Sequence, residues 1–253
     1  MFRPRIIPCL LLKNLGLVKT IQFKNERYIG DPMNAVRIFN AKEADELIFL
    51  DITATHDKRK LDLNLIERIA DEAFMPFAVG GGIRSIEDIR LCLSAGAEKV
   101  SISSYAIENP DFIRDAADVY GSSTIAVTLD VKKGMFGKYG VYSHNGKKST
   151  GLDPVTYACL MENKGAGEII INSIDHDGMM NGYDFELIKK IADSLTIPLV
   201  ALGGAGHLSH LKEAYEKANA SAMSAGSLFI YHGPRKAVLI NFPTKDELKE
   251  LFI

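Results

Sequence analysis

The sequence predicts an α/β fold, a (β/α)8 (TIM) barrel formed by residues 1–253 as one domain, with two fused half-barrels at roughly 1–122 and 123–253. Three observations carry this prediction. Short apolar or β-branched runs alternate with helical patterns to the end of the chain, and eight such runs are found. The alternation fills 253 residues without a linker-like or low-complexity stretch, which suits the length of an eightfold barrel. The second half also repeats the first. MPFAVGGGIRSIEDIRLCLSAGA (75–97) resembles IPLVALGGAGHLSHLKEAYEKAN (197–219), so that Pro76 and Pro198, Gly81 and Gly203, and Glu46 and Glu168 share an offset of 122. An open doubly wound sheet would leave the count of eight unexplained.

The elements follow in order. RIIPCLLL (5–12) is a short buried strand ending in three leucines, and residues 14–32 after it are long for a βα connection, as lids often are. ELIFLDI (46–52) is the second strand, followed by DLNLIERIADEAF (62–74), whose apolar residues fall at helical spacing. PFAVG (76–80) and KVSIS (99–103) flank the helical SIEDIRLCLSAG (85–96). TIAVTLDV (124–131) opens the second half and aligns with the first strand at an offset of 119, which pairs Lys13 with Lys132, Lys19 with Lys138 and Leu11 with Asp130. EIIINSI (168–174), the helical DFELIKKIADSL (184–195), PLVALGG (198–204) and ASAMSAG (220–226) complete the barrel.

Composition excludes several functions. Apolar residues make up 47%, charged residues 25%, and the net charge is −2, so the chain has no electrostatic footprint for nucleic acid or a membrane surface. No apolar run reaches the roughly 18 residues that span a bilayer, and the first strand is too short and too early for a signal peptide. Cys9, Cys92 and Cys159 are odd in number and scattered on apolar segments, which predicts buried free thiols and a cytoplasmic protein. The histidines lack metal-site spacing, and neither a metal nor another cofactor is expected.

Functional residues should gather where barrel strands end. Gly80-Gly81-Gly82 and Ser103-Ser104 follow the third and fourth strands; Gly203-Gly204 and Ala225-Gly226-Ser227 follow the seventh and eighth. Glycine lets a backbone approach a ligand and offer N–H groups, which suits phosphate. The duplicated turns therefore predict two phosphates on opposite sides of one mouth. Asp51 and Asp130 close strands, where a carboxylate is costly unless solvated, paired or in use. Asn172, Ser173 and Asp177 lie at or after the sixth strand, in the polar run SIDHDGMMNGYD, where His176 reads as a solvated loop residue. Lys19, on the long first connection, either reaches a phosphate or is simply exposed. Arg5, Glu46, Lys99 and Glu168 each open a strand, so a barrel would gather all four at the opposite rim.

RIIPCL, GDP, DELIFLDITA, PFAVGGGI, GAEKVSI, ENP, GKKSTG, GAGEIIINSIDHDG, NGYD and LGGAG resemble the cyclase subunit of imidazole glycerol phosphate synthase, the HisF family, from Arg5 to about Phe229. The resemblance implies a glutaminase partner at the N-terminal face of the barrel. Its ammonia would cross the barrel core and attack a bisphosphorylated ribonucleotide at the C-terminal face. It also implies that Asp130 is one of two catalytic aspartates and Lys19 a lid lysine. Gly82, Ser104, Gly204 and Ser227 would lie in phosphate loops, and Arg5, Glu46, Lys99 and Glu168 would form the ammonia gate.

Leu11 breaks the pattern. The family carries its other catalytic aspartate there, and leucine can neither take nor give a proton. Asn172 and Ser103 also stand where the family more often has threonine and asparagine. The resulting expectation is a HisF-type subunit of a glutamine-dependent, ammonia-channelling synthase that lacks full cyclase activity. It would pass ammonia to a sugar amidotransferase for amidation of a surface-polysaccharide sugar. The alternative is a working cyclase of histidine biosynthesis in which another group replaces the aspartate. A ligand-binding barrel without ammonia traffic would leave the four-residue gate without a use.

Overall fold

The computed structural model describes residues 3–253. Eight strands pair in parallel and close on themselves: β1 (Arg5–Lys13), β2 (Leu47–Asp51), β3 (Phe77–Gly80), β4 (Lys99–Ile102), β5 (Ile125–Lys133), β6 (Glu168–Ser173), β7 (Leu199–Leu202) and β8 (Ala222–Ala225). Closure is made by β8 against β1, with Arg5 beside Ala222 and Ile7 beside Ser224. All eight strands expected from the sequence are present, and the fold is a (β/α)8 barrel.

Eight helices surround it: α1 (Pro32–Ala41), α2 (Leu63–Glu72), α3 (Ile86–Ser94), α4 (Asp111–Tyr120), α5 (Pro154–Asn163), α6 (Phe185–Ala192), α7 (Leu208–Ala218) and α8 (Lys245–Leu251). Their starts are chemically marked. Asp31, Asp62, Ser85, Asp153 and Asp184 each accept a hydrogen bond from a backbone N–H of the first turn, and Pro32 and Pro154 fill first helical positions. Two single-turn helices, Ser104–Glu108 after β4 and Ser227–Ile230 after β8, preserve the half-barrel repeat.

Strand alternation divides the interior into two cores. Ile6, Leu10, Phe49, Val79, Val127 and Ile171 point outward and bury the inner stripes of the helices, including Leu65, Ile66 and Ile69 of α2. Each such aliphatic side chain contributes about 1.5–3 kcal/mol on burial. Ile7, Cys9, Ile48, Ala78, Ala126, Ile170, Val200 and Ala222 point inward and fill the lumen.

Residues 14–32 differ from the expected loop. They form an antiparallel hairpin, Gly16–Ile21 with Lys24–Gly30, whose first strand pairs with the end of β1 through Leu11–Val18, Leu12–Leu17 and Lys13–Gly16. Its tight turns hold Asn14 and Leu15, then Gln22 and Phe23, at positive φ of 49–64°. That is the backbone hairpins favour, here made mostly without glycine. A second hairpin, Tyr139–Ser143 with Lys148–Ser149, pairs with the end of β5. The thiols need one correction: Cys9 and Cys92 are buried, but Cys159, on α5, is only half-buried, and its Sγ donates to Ser194 O, just past the end of α6, at 3.4 Å. Among the described residues, no helix is long and apolar enough to cross a membrane.

Candidate active site

The two ends of the barrel are chemically opposite. At the N-terminal end Arg5, Glu46, Lys99 and Glu168 converge into a closed square of alternating charge. Arg5 pairs with both Glu46 and Glu168, while Lys99 Nζ lies 3.2 Å from Glu46 and 2.8 Å from Glu168. Both glutamates are 5% exposed, so each depends on the two cations for compensation. Residues from four different strands meet there because each opens, or directly precedes, a strand with its side chain turned into the lumen.

Above the square the lumen is apolar and built partly of small side chains, with Ala78, Ala126 and Ala222 among Ile7, Ile48, Ile170 and Val200. Burial pushes the Cys9 thiol up to about 12, so it is a neutral wall group and not a nucleophile. Nearer the mouth, Ser101 and Thr128 satisfy one another at 2.6 Å, and Ser224 Oγ donates to Ile7 O at 2.9 Å.

At the C-terminal end a cavity of about 170 Å³ gathers Leu11, Lys19, Asp51, Gly81, Gly82, Ser103, Ser104, Asp130, Asn172 and Asp177. Asp130 sits on the floor beside its strand neighbour Asn172, whose Nδ2 donates to Asp130 Oδ1 at 3.1 Å. Burial raises the Asp130 carboxyl to about 7, the Asn172 hydrogen bond offsets part of that rise, and the charge of Asp177 adds to it. A carboxyl titrating there can both hold and release a proton near neutrality. Leu11 and Leu50, strand neighbours in the first half, supply the facing apolar wall.

Other carboxylates have structural duties. Asp51 Oδ1 accepts from the N–H groups of Thr53 and Ala54, both at 3.0 Å, and its Oδ2 lies 2.7 Å from Arg59. It therefore organises the connection after β2 while lining the mouth. Asp177 accepts from Thr20 Oγ1 at 2.7 Å, its carbonyl accepts from Gln22 N–H at 2.9 Å, and together they hold the first hairpin across the mouth. His176 braces the same loop, with Nδ1 2.7 Å from Gly182 O.

Lys19 is not exposed: it is buried while lining the cavity. It is 5% exposed, with Nζ 3.9 Å from Asp177 and 2.6 Å from where a Cβ would project at Gly226. Its ammonium thus packs on the turn after β8. Gly203, Gly204, Gly226 and Ser227 lie outside the cavity that contains the first-half turns. Gly204, at φ 116°, is required by the fold itself, because a Cβ there would overlap the carbonyl of Gly182. Ser103 Oγ, Ser227 Oγ and Asn172 Oδ1, at or just after strand ends, are buried without hydrogen-bond partners. Ser104 Oγ accepts from His144 N–H at 3.0 Å.

Sequence reasoning missed Asn145, which reaches from the second hairpin to donate to Ile52 O across the mouth. The Asn145-Gly146 pair was a hairpin signal that could have found it. Arg59, the partner of Asp51, carried no comparable signal. Among the described residues, no group of three or more His, Cys, Asp or Glu side chains could hold a metal ion.

This (β/α)8 barrel carries a half-buried carboxyl, partnerless polar atoms and glycine turns at the C-terminal ends of its strands, where barrels of this fold place their sites. Residues 5–234 match the family described as "Histidine biosynthesis protein". A Leptospira interrogans protein with the provisional name imidazole glycerol phosphate synthase subunit HisF is 50% identical over 253 residues, with all of both chains covered. A Pseudomonas aeruginosa protein, provisionally named subunit hisF2 of the same synthase, is 45% identical over 248 residues, covering 98% of this chain and 99% of that one. A Vibrio vulnificus protein, provisionally named subunit hisF3, is 45% identical over 251 residues, covering 99% and 96%. The chain belongs to the histidine biosynthesis protein family and is a HisF-like barrel subunit of the imidazole glycerol phosphate synthase type.

Proposed function

We propose that this barrel conducts ammonia without forming much imidazole from it. A glutaminase docks at the end closed by Arg5, Glu46, Lys99 and Glu168. Ammonia enters past that square, crosses the lumen and leaves at the mouth for amidation of a surface-polysaccharide sugar. The observation that carries this reading is Leu11, an apolar side chain lining the same cavity as Asp130 at the equivalent place in the other half. General acid–base groups contribute roughly 10²- to 10⁴-fold to rate, so cyclisation with Asp130 alone is crippled. The small apolar lumen supports the reading further, since it admits neutral ammonia and disfavours ammonium.

Phosphorylated ligands bind at the mouth through two turns, Gly81–Gly82 with Ser103–Ser104 and Gly203–Gly204 with Gly226–Ser227. The partnerless hydroxyls of Ser103 and Ser227 support one acceptor site on each side. The Lys19 ammonium, packed beside Gly226, is placed to pair with an anion on the second side. Crystals soaked in phosphate test this: density at both turns is expected, and density at neither would contradict it.

The second reading, a working histidine-pathway cyclase, is favoured by one observation, the Asp130 carboxyl at about 7. The two readings separate in one assay. Given ammonium and the bisphosphorylated ribonucleotide, the purified chain should form almost no imidazole product under the first reading and turn over briskly under the second. Under both readings the chain binds its glutaminase at micromolar concentrations and stimulates glutamine hydrolysis.

A further inference from the structure

Among the described residues, nine of the fourteen exposed large apolar side chains lie on connections that follow strands, and so on the mouth side: Leu15, Ile21, Tyr28, Met135, Phe136, Leu152, Met179, Val238 and Leu239. Of these nine the most exposed are Met135 at 85% and Phe136 at 102%, at the tip of the hairpin that extends β5. Gly134 N–H donates to Lys138 O at 2.8 Å and Gly137 N–H to Gly134 O at 3.1 Å, closing the turn. Phe136 is held at φ 71°, a region unfavourable for a side chain with a Cβ. The turn therefore holds an aromatic ring wholly in water beside a second exposed apolar side chain.

The hairpin is also strongly one-signed. Residues 131–152 contain Lys132, Lys133, Lys138, Lys147 and Lys148 and no carboxylate, on a chain whose net charge is −2. All five lysines are exposed, and only Lys133 has an ion-pair partner among the described residues, Glu186 at 3.2 Å. The base is rigid. Tyr139 donates to Asp184 Oδ1 at 2.9 Å, and Lys133 and Lys190 lie over its ring at 4.9 and 5.8 Å. A base fastened in this way reduces the conformational freedom lost on association.

We infer that this hairpin is the docking arm for the protein that consumes the ammonia, an acidic-faced amidotransferase with an apolar socket for Met135 and Phe136. The inference rests on the ammonia-conducting reading above. Ammonia released into water at neutral pH is protonated and lost as a nucleophile, so an outlet that serves another active site must be covered by that protein. Lys132, Lys138 and Lys148, without a carboxylate nearby on the hairpin, call for an acidic partner (Lys147 lines the mouth cavity and Lys133 pairs with Glu186), and an aromatic tip amid charge is the pattern of an interface anchor. A membrane supplies negative charge but no electrophile for ammonia.

The test reconstitutes the full chain with its glutaminase and a recombinant sugar amidotransferase, supplying nitrogen either as glutamine or as ammonium chloride. Phe136→Gly removes the ring and relieves the left-handed strain, so its effect is not one of misfolding; Phe136→Trp keeps an anchor, and Lys132→Glu with Lys138→Glu inverts the charge. For Phe136→Gly and the double charge variant, binding to the amidotransferase should fall about thirtyfold. Glutamine-driven amidation should fall with it, while glutamine hydrolysis and ammonium-driven amidation stay intact and Phe136→Trp retains coupling. If the wild-type chain couples glutamine to amidation and these variants couple equally well, the docking arm is refuted while the conducting reading stands. If the wild-type chain couples nothing while ammonium chloride does, both fall. Loss of binding to phosphatidylglycerol vesicles, with coupling unchanged, would make the arm a membrane contact and overturn the proposal.

Discussion

Asp130 lies in register with Asn172 on the neighbouring strand, and Leu11, its counterpart in the first half, lies in register with Leu50. Both continue into hairpins, Asp130 opposite Tyr142 and Leu11 opposite Val18. The duplicated backbone thus offers two equivalent places at the mouth, one polar and one apolar. The Asn172 amide orients the remaining carboxyl while leaving its own Oδ1 without a partner.

The Asp130 environment makes stability depend on pH in a definite direction. Its folded value, about 7, lies above the ordinary 3.8, so the folded state keeps the proton after the unfolded state has lost it. This contribution to stability is full below the unfolded value and is lost as pH rises through the folded one. Asp130→Asn removes the ionisation, so thermal denaturation should show a gain roughly 1–3 kcal/mol larger at pH 8 than at pH 4.5. The same gain at both values would contradict the burial argument.

The charged square should behave as one unit. Glu168→Gln leaves Arg5 and Lys99 sharing a single carboxylate and should cost about 3–5 kcal/mol in urea denaturation. Adding Lys99→Met leaves the Arg5–Glu46 pair balanced, so the double variant should be more stable than the sum of the single losses by about 0.5–3 kcal/mol. Strict additivity would mean that the four residues are independent.

The first hairpin is held by Asp177 through Thr20 and through its backbone contact to Gln22. Asp177→Ala removes the bond to Thr20 and the counter-charge nearest Lys19, costing about 1–3 kcal/mol locally. Amide exchange over residues 17–21 should quicken at least about tenfold relative to the barrel strands. Unchanged exchange would show that the pairing with β1 alone secures the hairpin.

Much of this architecture was legible because each strand is a short apolar run between recognisable helical patterns, and the half-barrel repeat fixed which runs correspond. The charged square was legible for a related reason: a charge at a strand start has one place to go in a closed barrel. The hairpins were not. Leu15 and Phe23 occupy left-handed turn positions where glycine is the usual signal, so nothing local marked residues 14–32 as strand. The burial of Lys19 followed from that miss, since only a hairpin laid over the mouth sets its ammonium against Gly226. The glycine turns were found, but one of their causes was hidden: at Gly204 the approaching backbone belongs to Gly182 of the protein itself.

The most direct test of the account returns a carboxylate to the first half. Wild-type protein and Leu11→Asp are each given ammonium and the bisphosphorylated ribonucleotide, and imidazole product is followed over time. The account predicts almost none from the wild type and measurable turnover from Leu11→Asp, each recovered decade of rate corresponding to about 1.4 kcal/mol of barrier. Brisk product formation by the unmutated chain would contradict it, because cyclisation would then proceed with leucine at position 11.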